Sequence, residues 1–316
     1  MGVSFAVPRR WGRAYFALQA AAGGAWWIAV FLSPPVRNAT LGGLEPLVVA
    51  VLDIPLFVVS SAVAAFGSRV AAVVATGWTI LVTVGLGVYA TVTGAAGWGV
   101  LLMLAASGLS VLALCSVVLG RLPAEWVVSG PFRFRPATAR RSAAAHVVAT
   151  FAQIAAFWGF FLAALPAVIA FLEERWGFHM SFPPGAVVTG LVVLALASAL
   201  GIWSGAIMSA LGDGTPLPAA MPNLLVVAGP YRWVRNPMAL AGIVQAVAVG
   251  LVLQSWMVVV YALIGSLVWN LLVRPFEEAD LEQRFGAEFA RYRANVRCWI
   301  PRILPWTPAT ESLQSA

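Results

Sequence analysis

The chain has 316 residues, of which 61% are hydrophobic and only 10% charged. A soluble domain cannot bury that much apolar surface, so the composition excludes an ordinary water-soluble fold and predicts a polytopic membrane protein. The net charge of +7 does not point to nucleic acid. The 19 basic residues are all arginine and flank apolar segments instead of forming one basic face, as topology determinants do.

The apolar runs are long, rich in Ala, Leu and Val, and lack sustained alternation. Helices are therefore expected throughout, because backbone groups in a bilayer must be satisfied within the segment. The N-terminus is basic and then apolar with no small-residue cleavage site, which reads as a retained first helix. Eight segments follow in order, at about Tyr15–Leu32, Leu44–Phe66, Val70–Val92, Trp98–Leu119, Ala143–Phe171, Ala186–Ala210, Met238–Leu253 and Trp256–Val273. The seventh is short for a full crossing, and Gln254-Ser255 leaves only a tight turn before the eighth. The expected fold is all-α, with about eight transmembrane helices and a cytoplasmic C-terminal helical tail.

With the N-terminus in the cytoplasm, only Arg37 and Arg175 lie outside and the other seventeen arginines face inward. Both termini are then cytoplasmic, in a membrane of the bacterial inner or plasma type. The Arg- and Pro-rich stretch Arg121–Arg141 reads as a linker, dividing the chain into a four-helix unit (1–125) and a second unit (126–316). VVSGPFRFRP, from Val127 to Pro136, echoes VVAGPYRWVRNP, from Val226 to Pro237, as a decayed repeat or by chance. Cys115 and Cys298 form no CxxC, and with only His146 and His179 no metal site is expected.

Chemistry concentrates in the last third. GDGTP, beginning at Gly212, is a loop suited to close backbone approach, and Gly229-Pro230 forces a turn. Arg232 and Arg235 follow, and Asn236-Pro237 opens the next helix, whose free amides favour an anion. Across the hairpin, Arg274-Pro275 is expected to end one helix, and Glu277, Glu278, Asp280 and Glu282 to begin another. The hairpin thus brings a basic turn and an acidic pair to one edge of the membrane. Gln153, Gln245 and Asn270 are candidates to line a cavity or to bond between helices, Gln245 the better one because it lies two turns after Pro237. Asp53, with Pro55, stands inside an apolar segment, either as a proton or ion site or as a carboxyl satisfied at a helix break.

GPYRWVRNP, the apolar hairpin, and EEADLEQRFGAEFARYRANV ending in WIPR together resemble the isoprenylcysteine carboxyl methyltransferase family and the related membrane phospholipid methyltransferases, in their bacterial branch. The resemblance is specific over about 212–302 and leaves the first four helices unassigned. It implies S-adenosylmethionine-dependent methyl transfer at the cytoplasmic face to an apolar or lipid-like acceptor bearing a carboxylate, amine, phenol or thiol. It places Arg235 and Glu278 at the catalytic centre. Tyr231, Arg232, Asn236, Pro237, Gly242, Gln245 and Glu277 are placed on the cofactor. The sequence departs from the family pattern at Ala239 and Ala241, where Tyr and Gly are usual, with Gly242 one step later, and Phe289 replaces a common Tyr. Those departures, Asp53 and the extra helices motivate an alternative, a non-catalytic or transport protein on a methyltransferase-derived scaffold.

Overall fold

The computed structural model describes residues 5–123, 143–212 and 222–307, and the echo at Val127–Pro136 and all of GDGTP after its first glycine lie outside them. Two compact units divide the chain: Met1–Ala124 with Phe171–His179, and Glu125–Ala170 with Met180–Ala316. Among the described residues seven helices are long and apolar enough to cross a membrane. The protein is an all-α polytopic membrane protein.

The first unit contains α1 (Arg9–Leu32), α2 (Pro34–Thr40), α3 (Pro46–Asp53), α4 (Ser60–Ala65), α5 (Arg69–Thr93) and α6 (Gly97–Leu119). A two-residue antiparallel pairing of β1 (Phe5–Ala6) with β2 (Arg121–Leu122) ties its ends. Helix α3 runs into α4 through a π-helical turn, Ile54–Val59, so that Pro46–Ala65 forms one span. Asp53 sits at the head of that turn and accepts hydrogen bonds from two indoles, Trp27 Nε1 at 2.9 Å and Trp78 Nε1 at 2.7 Å. A buried carboxyl is tolerable only when so satisfied. Arg175 donates to the carbonyls of Thr91 and Val92, covering acceptors that the end of α5 leaves without intrahelical donors.

The second unit contains α7 (Ala143–Trp158), α8 (Leu165–Arg175, whose last residues belong to the first unit), α9 (Ala186–Leu211), α10 (Pro237–Val252), α11 (Trp256–Val268) and α12 (Arg274–Asn295). Helices α9 and α10 share the unit's most extensive helix–helix interface. Gly190 makes it close: a Cβ there would meet Ala248 O and Leu251 Cβ at 2.9 Å each. With 16 residues α10 spans about 24 Å, short of the ~30 Å hydrocarbon layer. The tight turn after it forms as expected, with Gln254 at φ +52° and Ser255 Oγ accepting from Val258 N at 3.1 Å.

One expectation is corrected. Arg274-Pro275 does not end a helix: the chain stays helical from α11 through a π turn, Trp269–Val273, into α12. Among the described residues all three π turns, the third at Gly159–Ala164, contain or closely precede a proline (Pro55, Pro166, Pro275). The ring removes a donor and crowds the carbonyl four residues back, and the widened turn absorbs both. The apolar stretch ends at Val273, and the charged α12 continues beyond it. Inside α12, Gly286 has φ +49° and ψ −122°, which kinks the helix. An added Cβ there meets nothing, so backbone strain alone opposes substitution. Gly286→Ala is expected to cost about 1–3 kcal/mol, read as a lower unfolding midpoint in detergent; an unchanged midpoint would show that the kink carries no strain.

Candidate functional site

The loop before α10 and the start of α12 meet. Gly229 takes φ +52° and begins a 3-10 turn, Gly229–Arg232, whose Tyr231 is buried. Asn236 caps α10, its Oδ1 accepting from Ala239 N at 3.3 Å, and Pro237 occupies the first turn, where its missing N–H costs nothing. This short-range chemistry fixes the direction in which Arg235 and Asn236 leave the helix.

Their partners come from α12. Arg235 Nη2 donates to Glu278 Oε1 at 2.9 Å, the two side chains being 12% and 22% exposed. Asn236 Nδ2 lies 3.5 Å from Glu277 Oε2, at the outer limit of a hydrogen bond. Arg274 Nε stands 3.8 Å from the same Glu278 oxygen, while Arg274 Nη1 and Trp299 Nε1 both donate to Asn270 Oδ1. The Glu278 charge is therefore paired with arginine, whereas Glu277 has only a weak amide contact. Burial pushes the Glu277 carboxyl up to about 7, the neighbouring Glu278 charge adds to this, and Arg235 offsets part of it.

The C-terminal segment clamps the loop. Arg235 N donates to Arg297 O at 2.9 Å, Arg302 N to Trp233 O at 2.9 Å and Trp306 N to Arg232 O at 2.9 Å. Tyr292 Oη donates to Tyr231 O at 2.6 Å. Beneath this clamp Phe289, Tyr292 and Val296 form a buried cluster that Leu225, Leu281 and Phe285 flank. The Tyr231 hydroxyl is held above its ordinary pKa, first by burial, and stays protonated.

A hollow of about 110 Å³ lies between these parts, lined by Tyr231, Arg235, Asn236, Glu277, Trp269 and Tyr292 together with apolar side chains such as Met238, Leu281 and Phe289. The indole N–H of Trp269 is sealed from solvent and has no partner among the described residues.

Of the nine residues singled out in the sequence, Tyr231, Arg235, Asn236 and Glu277 line the hollow, and Glu278 joins through its ion pair. Arg232 turns elsewhere, its Nε donating to Trp306 O at 3.0 Å and its Nη2 to Thr307 Oγ1 at 2.7 Å. Pro237 is buried as the first residue of α10. Gln245 is buried one helix face away, bonded to Ser198 Oγ at 2.9 Å. Gly242 has open space where a Cβ would be. Ala241, at the family's glycine position, is buried; its Cβ would stand 3.5 Å from one placed on Gly201, so it packs against α9 and lies outside the hollow. Sequence reasoning missed Trp269 and Tyr292. Their only signal was an aromatic near a charged motif, which interfacial anchors give equally.

These features define a class: an all-α membrane protein whose short helical hairpin presents an arginine–carboxylate cluster over an aromatic-walled hollow. Residues 186–288 match the model of the phospholipid methyltransferase family. That stretch, running from the first residue of α9 into α12 and holding Arg235, Asn236, Glu277 and Glu278, is similar to the isoprenylcysteine and phospholipid methyltransferases. The family implies methyltransferase activity in a membrane. No curated protein and no solved structure matches the chain.

Proposed function

We propose that the chain is an S-adenosylmethionine-dependent methyltransferase acting at the cytoplasmic membrane face on an apolar or lipid-like acceptor, in the manner of the isoprenylcysteine carboxyl methyltransferases. One observation carries the reading: within the matched domain, Arg235 and Glu278 are 2.9 Å apart and Asn236 and Glu277 3.5 Å apart, around one hollow. The donor set suits the cofactor. Its ammonium needs a carboxylate with unused acceptors, which Glu277 offers. Its carboxylate needs a cationic donor, which Arg235 offers. The sealed, unpartnered Trp269 N–H is one more donor awaiting an acceptor.

When bound, S-adenosylmethionine supplies a methyl group activated on a sulfonium. The protein's part is to position and to exclude water. Leu281, Phe285 and Phe289 form a dry wall beside Glu277, and Arg235 with Glu278 stands where an acceptor carboxylate could be held or a neutral acceptor's proton received. Tyr231, Arg232 and Pro237 shape the approach loop, while Gly242 and Gln245 lie outside the hollow, Gln245 tying α10 to Ser198 of α9. Small-molecule sites ordinarily exceed ~300 Å³, so loading this hollow requires its walls to part.

Two measurements test the proposal. Calorimetry of the purified chain with S-adenosylmethionine is expected to give saturable heat at one site per chain, and no saturable heat from folded protein overturns the reading. Labelled S-adenosylmethionine incubated with protein and native lipid extract is expected to yield a labelled apolar product, whose head group names the acceptor.

A further inference from the structure

A larger cavity lies in the first unit, outside the methyltransferase domain. It holds about 580 Å³ and is lined almost wholly by apolar and small side chains of α1, α3, α5 and α6. That volume falls within the ~300–1,000 Å³ of ordinary ligand sites. Along α1 it runs from Tyr15 to Trp26, about 17 Å of helix, so it is an elongated slot. Ala22, Gly85 and Ala106 make the room. Leu18, Leu102 and Leu109, which line it, are 67%, 54% and 51% exposed, so the slot opens sideways to lipid.

One group makes it more than a seam between helices. Asp53 lines the slot about 11 Å along its span from Pro46. Each of its carboxylate oxygens takes one indole N–H, from Trp27 and Trp78, and each keeps a further lone pair. The two indoles fix the carboxylate, and the π turn that starts at Ile54 holds the backbone behind it. Among the described residues no arginine lines the slot. The other buried polar side chains there are uncharged and pair within the unit: Gln19 with Ser61 at 3.1 Å and Ser110 at 2.8 Å, and Thr40 with Val36 O at 2.8 Å and Trp26 Nε1 at 3.2 Å.

We infer that the first unit carries its own binding site for a single-chain amphiphile, whose tail fills the slot and whose hydrogen-bond-donating head, a protonated amine in its strongest form, is received by Asp53. The head class follows from charge: a carboxylate in the apolar layer, with no basic side chain among the described residues of its slot, is best compensated by a cation the ligand brings. A two-chain phospholipid keeps its head at the interface and cannot make this contact.

The test uses the full chain in lipid nanodiscs and a long-chain alkylamine carrying a diazirine in its tail, with the alcohol and carboxylate of the same chain as competitors. Photolabelling is expected on α1, α5 and α6 peptides facing the slot, with unlabelled amine competing best, alcohol next and carboxylate least. Gly85→Phe fills the slot from a position where an added Cβ meets nothing and is expected to cut labelling about tenfold. Ala106→Leu fills it from another wall. Gly77→Phe, on the same helix, equally open and outside the slot, is expected to leave labelling unchanged. Asp53→Asn is expected to remove the preference for amine over alcohol by about tenfold, the worth of a charge-assisted bond. Labelling spread evenly round the lipid-facing surface, or untouched by both filling variants, means ordinary bilayer lipid only and overturns the site. Carboxylate competing as well as amine overturns the role of Asp53.

Discussion

Replacing Arg235 by Ala is expected to lower both S-adenosylmethionine affinity and methyl transfer about 100-fold or more. Two effects add. The direct loss is a cationic donor in a partly dehydrated site, where a charge-assisted hydrogen bond is worth ~1.5–3 kcal/mol. The indirect loss falls on Glu277: Arg235 is the charge that holds its carboxyl down against burial and Glu278. Without it Glu277 rises further and is neutral at neutral pH, no longer able to attract an ammonium. Because Arg235 also ties the loop to α12, the single change destabilises the fold as well, leaving Glu278 half-buried beside Glu277 without its 2.9 Å partner. The exchanged pair, Arg235→Glu with Glu278→Arg, separates the two losses. It keeps the ion pair and is expected to recover most of the unfolding midpoint while activity stays lost. If Arg235→Ala binds S-adenosylmethionine within twofold of the parent, or the exchanged pair is active, Arg235 is only a structural strut and the catalytic assignment fails.

Cofactor affinity is expected to rise with pH up to about 7 and then level off, with Glu277 as the titrating group. Its carboxyl ionises near 7 in the folded protein against 4.5 ordinarily. For folding, the sign is that of a raised acid: the stability associated with the neutral form is full below about 4.5 and is lost as pH rises through about 7. For binding, the sign reverses, because an ammonium requires the ionised form. Below about 7, affinity should fall roughly tenfold per pH unit, and each binding event should release about one proton, seen as a dependence of calorimetric heat on the buffer's ionisation enthalpy. Glu277→Gln is expected to flatten the profile and to lower affinity at pH 8 by about tenfold or more. It should also raise stability above neutral pH, since a buried charge is replaced by an amide. A binding profile flat from pH 6 to 8 in the parent sinks this role for Glu277.

How much of this was written locally can be followed residue by residue. The Asn236 and Ser255 caps depend on side chains bonding backbone three residues away, and the Pro237 first turn on the proline ring itself, so a reader of the sequence meets all the partners within one turn. Helix lengths follow equally directly from hydropathy, including the shortness of α10. The Arg274-Pro275 error shows the limit of local rules: proline argued for a stop, but a π turn accommodates it when a helix has reason to continue. The end of α8 shows another limit. Phe171–His179 packs with the first unit, where Trp176 Nε1 donates to Thr91 Oγ1 at 3.0 Å across 85 residues of sequence.

The sequence by itself determined the all-helical membrane class, the order of the apolar segments, and which motif residues are chemically able to hold a charged ligand. Only the tertiary structure decided how those residues are used. It paired Arg235 with Glu278 across 43 positions and sent Arg232 to the C-terminal segment. It also set Trp269, whose N–H has no partner among the described residues, in the same hollow as Glu277, and caught Asp53 between two indoles. The physical reason is range. Hydropathy and capping act over a turn or a span, whereas ion pairing, desolvation and cavity shape depend on which distant side chains the packed helices bring within a few ångströms.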